Sequence, residues 1–265
     1  MPRRIVREVP FAYPLDIGER LGQRTAQLHA ALATRTDDPA FSVVPIRASD
    51  LKSWAKSTQR EANKCLMALR RQLKSVSNDV VGDIKQLLSA KSELMKRIAA
   101  VESLEPSGGK SRIHGDYHLG QVLICEGDVM IVDFEGEPQR ALNQRRTKSS
   151  PLRDVGGMLR SFDYLAWSAL DRRRHVAGEL HETERQRAMA WRNQTVDAFL
   201  RAYIESASQA ASHPQDTKTT EGLLQLFTIQ KALYEIGYEA ANRPGWLSIP
   251  IRGLLDLLNR KEPNN

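Results

Sequence analysis

The sequence predicts a mainly α-helical protein carrying one small β-hairpin. Apolar residues recur at three- and four-residue intervals through long stretches rich in Ala, Leu, Lys and Glu, the period of a helix with one buried face. A different pattern sits mid-chain. Val122-Leu123-Ile124 and Val129-Met130-Ile131-Val132 flank Glu126-Gly127-Asp128, two short β-rich runs around a glycine turn. With 265 residues the chain can bury a sizeable core.

In chain order, residues 1–14 are punctuated by proline and partly extended. Asp16 or a neighbour caps a helix on which Leu21, Thr25, Leu28 and Leu32 share a face, and His29 reads as a packed or partly exposed side chain. Residues 37–45 form a loop. Ser49-Asp50-Leu51 opens a helix to about Leu73, and Asn78-Asp79 caps another from Val80 to about Leu104. Their repeats, Leu66, Leu69 and Leu73 against Ile84, Leu87 and Leu88, predict an antiparallel helical pair. Gly109-Lys110-Ser111 ends like a nucleotide-binding loop, but Leu104 stands where that motif needs glycine; residues 106–111 read as a linker.

Past the hairpin, residues 138–149 are a polar, basic loop. Ser150 before Pro151 starts a helix whose apolar face is Val155, Met158, Leu159, Phe162, Leu165 and Ala166, with Asp154 in its first turn. A charged stretch over residues 171–187 leads into a helix from about Ala188 to Ile204. Residues 206–220, rich in Ser, Ala, Gln, Thr and Pro, are the best candidate for local disorder. The final helix, from about Glu221 to Asn242, buries Leu223, Leu226, Phe227, Leu233 and Ile236.

Composition narrows the function. No apolar run reaches the roughly 20 residues a membrane helix needs, and the N-terminus lacks a secretory apolar core. Cys65 and Cys125 read as buried, reduced thiols of a cytoplasmic protein, and no Cys/His spacing suits structural zinc. The net charge of +7 is spread over helices among acidic residues, so nucleic acid is not the expected partner. Arg172-Arg173-Arg174 reads as a solvated helix end. Arg145-Arg146-Thr147-Lys148 either does the same or meets anionic phosphates.

The chemistry gathers at the hairpin. A turn centred on Gly127 sets Gln121 opposite Asp133, with Asp116 in the preceding loop and Glu135 just beyond. Crowded carboxylates need a cation or a shared proton, and Mg²⁺ suits these oxygen ligands. On the last helix Lys231, Tyr234, Glu235, Tyr238, Glu239 and Asn242 recur at helical offsets, followed by Arg243. Tyrosine faces can meet the C–H surface of a sugar while Glu and Asn meet its hydroxyls.

His114-Gly115-Asp116 with Gln121, then Asp133-Phe134-Glu135, resembles the catalytic loop and metal-binding aspartate of protein-kinase-like phosphotransferases. The longer strings His-Gly-Asp-Tyr-His-Leu-Gly-Gln-Val-Leu, Asp-Phe-Glu-Gly-Glu-Pro and Ser-Pro-Leu-Arg-Asp-Val-Gly-Gly-Met-Leu-Arg-Ser-Phe-Asp-Tyr resemble the maltokinase family. So does Lys231-Ala-Leu-Tyr-Glu with Tyr238-Glu239 and Asn242-Arg-Pro-Gly-Trp, although Gly237 replaces an expected Arg. The resemblance implies the C-terminal lobe of a protein-kinase-like, aminoglycoside-phosphotransferase-type fold without its N-terminal lobe. Residues 1–35 would be the post-hinge segment and first helix, and 36–106 the helical pair. Residues 107–170 would hold the catalytic loop, metal hairpin and next helix; 171–265 would hold the C-terminal helices with the acceptor site.

The implied activity is ATP-dependent phosphorylation of maltose at C1, with weak ATP binding by this chain alone. Asp116 would be the base, while Gln121, Asp133 and Glu135 would hold Mg²⁺. His118, Tyr234, Glu235, Tyr238, Glu239, Asn242 and Arg243 would meet the sugar, and His114 and Asp154 would brace the loop. The partners implied are trehalose synthase or the missing N-terminal lobe, and two alternatives stay open: a non-catalytic sugar-binding or docking module associated with trehalose synthase, and a kinase for another acceptor such as an aminoglycoside or hexose.

Overall fold

A computed structural model describes residues 16–125, 128–138, 140–178 and 181–260. The expected extended segment over residues 1–14 and the turn residues Glu126 and Gly127 lie outside these. Helices dominate: α1 (Asp16–Leu32), α2 (Ala48–Gln72), α3 (Asn78–Ser89), α4 (Lys91–Ala99), the single turn α5 (Leu142–Arg145), α6 (Leu152–Ala177), α7 (Glu182–Ala207), α8 (Thr217–Asn242) and α9 (Ser248–Asn259). Two antiparallel pairs join them. β1 (Val44–Pro45) pairs with β2 (Gly109–Lys110), and β3 (Val122–Cys125) pairs with β4 (Asp128–Ile131). Among the described residues no helix is long and apolar enough to cross a membrane.

The helices pack as a chain of neighbours. α1 lies along α7, α7 touches α6, α6 packs on α8, and α8 reaches α2 and α9. Val155, Met158, Phe162 and Ala166 of α6 are buried, as are Leu223, Leu226, Phe227, Leu233 and Ile236 of α8. Gly156 sets the α6–α8 spacing, because a Cβ there would lie 3.0 Å from the Thr228 nitrogen. An ionic layer ties four helices together. Arg160 Nη1 donates to Asp163 (2.6 Å) and Arg160 Nη2 to Glu235 (2.7 Å). Arg192 Nη1 donates to Asp163 (2.6 Å) and Asp256 (3.2 Å). Burial opposes the Arg160 charge, yet the Glu235 and Asp163 carboxylates outweigh it and raise its pKa.

Several sequence expectations change. The second member of the helical pair breaks at Ala90 into α3 and α4, and α3 packs mainly on α9, an element the sequence reading did not include. Its apolar residues Ile249, Ile251, Leu254, Leu255 and Leu258 are buried. The linker at residues 106–111 supplies strand β2, and Pro45 within the expected loop belongs to β1. Leu165 is exposed, because α6 turns that face outward. Cys65 is buried, its thiol pushed up to about 12 by burial, but Cys125 is exposed on a hairpin that stands off the body.

The charged stretch after residue 171 also continues α6, and α7 starts at Glu182. Residues 206–220 are ordered rather than disordered: the Gly109 nitrogen donates to the Ser212 carbonyl (3.1 Å), and Ser212 and His213 are buried. Burial lowers the His213 pKa, with His29 adding to the effect.

Two measurements test this packing. Asp163→Ala strips two buried guanidinium groups of a shared partner and should cost about 3–5 kcal/mol of unfolding free energy in urea titrations at neutral pH. His213 binds a proton less readily folded than unfolded, so stability should be full above about pH 6.5 and decline as pH falls below it. His213→Gln should flatten that decline in thermal melts.

Candidate active site

The site starts from one face of α6. Asp154, Gly157 and Ser161, at i, i+3 and i+7, all meet the loop that carries His114 to Leu119. Asp154 Oδ2 accepts from the His114 backbone nitrogen (2.7 Å) and Oδ1 from the Gly115 nitrogen (2.9 Å). Ser161 Oγ accepts from the Leu119 nitrogen (3.0 Å). A Cβ on Gly157 would sit 2.7 Å from the Tyr117 carbonyl oxygen, so only glycine allows this approach. Behind Asp154, buried His29 lies between Asp154 Oδ2 (3.2 Å) and the Tyr203 hydroxyl (3.0 Å). Of the packed and partly exposed placements open for His29, the packed one holds, and it packs against the carboxylate that shapes the loop.

The second wall is the hairpin and the turn after it. Val132 donates its N–H to the Gln121 carbonyl (3.0 Å), one residue short of the expected Gln121–Asp133 pairing, because two residues rather than three separate the strands. The side chains close the difference: Gln121 Nε2 donates to Asp133 Oδ2 (2.8 Å). Asp133 adopts φ 65°, a left-handed conformation that costs on the order of 1 kcal/mol in a non-glycine residue. His114 Nε2 donates to the Val132 carbonyl (2.9 Å), binding the two walls together. Gly115 and Gly136 face each other so closely that a Cβ on Gly115 would be 3.3 Å from the Gly136 Cα.

α8 completes the cluster. Lys231 Nζ lies 3.1 Å from Asp116 Oδ1 and 4.0 Å from Glu137 Oε2, and 5.0 Å from the centre of the Tyr234 ring. The Tyr234 hydroxyl donates to Glu137 Oε1 (2.9 Å). Burial and the Glu137 hydrogen bond raise the Tyr234 pKa, keeping it a donor. Tyr238 stacks on Tyr234 and is itself partly exposed. His118 Nε2 stands 3.9 Å from Asp116 Oδ2, and its pKa is lowered chiefly by burial.

The sequence-derived residues therefore divide. Asp116, His118 and Tyr234 converge on one place, with Gln121 and Asp133 paired on the adjoining wall. Glu135 is exposed, its carbonyl accepting from Arg145 Nη1 (3.3 Å); the acid that turns inward is Glu137, across Gly136 at φ 75°. Glu235 is committed to Arg160, and buried Glu239 to Tyr164 (2.8 Å) and Arg243 (2.6 Å), so both carboxylates already have partners within the protein. Exposed Asn242 donates to the Tyr238 carbonyl (2.9 Å). Glu137 was missed although it ends the acidic alternation 133, 135, 137. A broad groove of about 790 Å³ between α1 and α7, lined by Glu19, Gln23, Asp197 and Arg201, shares no residue with the cluster.

Among the described residues no three His, Cys, Asp or Glu side chains form a metal-holding group. Gln121 and Asp133 each carry an oxygen of the kind a magnesium ion takes one or two of before completing its shell with phosphate and water, although the Gln121 amide here turns its Nε2 to the Asp133 carboxylate. Both are hard oxygen donors at the mouth of the hairpin.

Comparison with known proteins adds a relationship. Residues 2–191 match the family described as the phosphotransferase enzyme family. The chain is 28% identical over 260 residues to a glucosamine kinase of Streptacidiphilus jiangxiensis, covering 97% of this chain and 52% of that protein. It is 26% identical over 247 residues to a glucosamine kinase of Mycolicibacterium smegmatis, covering 92% and 54%. A solved glucosamine kinase in complex with glucosamine, ADP and inorganic phosphate superposes with a TM-score of 0.74 at 25% identity, over 92% of this chain and 55% of that one. The chain spans about half the length of the curated relatives it matches.

Removing the carboxylate on α6 tests the geometry without reference to activity. Asp154→Ala leaves the His114 and Gly115 amides without their buried acceptor and should cost about 3 kcal/mol. Hydrogen exchange at those two amides should accelerate more than at the α8 core, and equal protection in both proteins would contradict the bracing role.

Proposed function

The chain belongs to the phosphotransferase enzyme family, and we propose that it carries the acceptor side of a sugar kinase. It would pass the terminal phosphoryl group of ATP to a hydroxyl of a small amino sugar of the glucosamine class. The observation that supports this most is the convergence of Asp116, Lys231, Glu137 and Tyr234 on a loop that His114 ties to the turn before Asp133, the partner of Gln121. A proton acceptor on one wall and oxygen groups for a cation on the wall tied to it would meet the two needs of phosphoryl transfer to an alcohol.

Each residue then has work to do. Asp116 orients the acceptor hydroxyl and takes its proton. Gln121 and Asp133 would hold Mg²⁺, which supplies positive charge to the donor phosphates. His114 and Asp154 keep the loop in place, and His118, at the rim beside Asp116, can meet the sugar or phosphate. Tyr238 offers an aromatic face to the C–H side of a ring.

Charge supports the acceptor class. Asp116 and Glu137 bring two carboxylates against the one ammonium of Lys231, an excess of negative charge among these three groups beside two tyrosines. A cationic amino sugar is attracted to that excess, whereas neutral maltose, the acceptor expected from sequence resemblance, is not. The names of the relatives point the same way.

A coupled ADP-release assay over glucosamine, glucose and maltose tests the assignment. Glucosamine should exceed maltose in kcat/KM by about 10-fold or more. Asp116→Asn should lower turnover on the order of 10³-fold with an unchanged melting temperature. Efficient turnover of maltose with glucosamine inert would restore the disaccharide reading. Glucosamine binding by calorimetry without ADP release would instead indicate a sugar-binding module.

A further inference from the structure

Lys231 sits at the centre of the site, although the metal and base motifs account for the site without it. Its ammonium is fixed from three sides. Asp116 Oδ1 is 3.1 Å away, Glu137 Oε2 is 4.0 Å away, and the Tyr234 ring centre is 5.0 Å away. Glu137 is held in turn by the Tyr234 hydroxyl at 2.9 Å. All three acidic and basic side chains are largely withdrawn from water, with 17%, 9% and 23% of the Asp116, Glu137 and Lys231 side chains exposed. Screening there is weaker than at an open surface, so the contacts orient their partners.

The consequence is an asymmetry within one carboxylate. Asp116 Oδ1 is engaged by Lys231. Among the described residues no group comes within hydrogen-bond distance of Asp116 Oδ2; His118 Nε2 stands off at 3.9 Å, while His118 Nδ1 accepts from the Gly120 nitrogen (3.0 Å). We propose that Lys231 is a positioning residue that locks Asp116 through Oδ1, so that Oδ2 is the oxygen that takes the acceptor's hydroxyl proton. The inference rests on the phosphotransferase reading and assigns the step to an atom. The acceptor oxygen forms its bond to the terminal phosphorus of ATP as the bond from that phosphorus to the departing ADP oxygen breaks, and the hydroxyl proton passes to Asp116 Oδ2. Lys231 keeps its own protons throughout.

A positioning lysine and a substrate-binding lysine differ in kinetics. Lys231→Met keeps the stem against Tyr234 and removes the charge. Its kcat for glucosamine should fall about 100-fold, as expected for a misplaced base, while KM stays within about 3-fold. Lys231→Arg should recover part of the lost kcat, because it restores a donor to Oδ1. An unchanged kcat in Lys231→Met, or a raised KM with kcat intact, would overturn the proposal. A second measurement needs no turnover. The ¹⁵N-ammonium resonance of Lys231, identified by its loss in Lys231→Met, should shift in Asp116→Asn, and an unmoved signal would also overturn it. If the native chain releases no ADP with any sugar at saturating ATP, the phosphotransferase reading fails, and the ammonium experiment still decides whether Lys231 holds Asp116.

Discussion

The carboxylate of Asp154 is the fixed point of this molecule. It accepts the backbone N–H groups of His114 and Gly115, and His29 backs it from the buried side. Two loop amides that would otherwise be stranded away from water find a charged acceptor, the stronger kind of hydrogen bond. Because Asp154 is in the first turn of α6, the loop is tied to the helix that also forms the core of the bundle. The His114–Leu119 loop is thereby fixed to that helix.

The buried ion pairs do a related job on the other wall. Arg160 of α6 grips Glu235 of α8, one residue beyond Tyr234 and four beyond Lys231. Such pairs add little net stability, since desolvation offsets attraction, but they fix the rotation of one helix against another. With α8 held in that rotation, Lys231 and Tyr234 point toward Asp116 and Glu137, and Glu239 turns back to Tyr164 and Arg243. One ionic layer in the core and one cluster at the surface are two faces of the same helix register.

The hairpin is only partly embedded. Leu123, Ile124 and Met130 are exposed on it, and Arg24 of α1 holds it through Asp128. That hydrogen-bonded pair lowers the Asp128 carboxyl to about 2. The hairpin contributes Gln121 and Asp133 from its base, where it meets the body, so the exposed tip does not weaken the placement of that pair.

Much of this was legible in the residue order. Helical spacing located α1, α2, α6 and α8, and the β-rich runs around Gly127 located the hairpin, because periodicity and turn chemistry are local properties. The motif residues Asp116, Gln121 and Asp133 were legible for the same reason: their separation along the chain is short. What the order could not show was which of several polar residues on one helix face looks inward. Glu235 and Glu239 read like Tyr234 and Lys231 until Arg160, some seventy residues earlier, takes one carboxylate, and Tyr164 the other. Glu137 became part of the site, in place of Glu135, only when Gly136 reversed the chain. Residues 206–220 looked too polar to order until β2 supplied partners for their backbone. The sequence by itself determined the elements and the motif, since those depend on neighbours in the chain. Tertiary structure alone decided which charges meet, because an ion pair forms between groups whose nearness is set by packing and not by position along the chain.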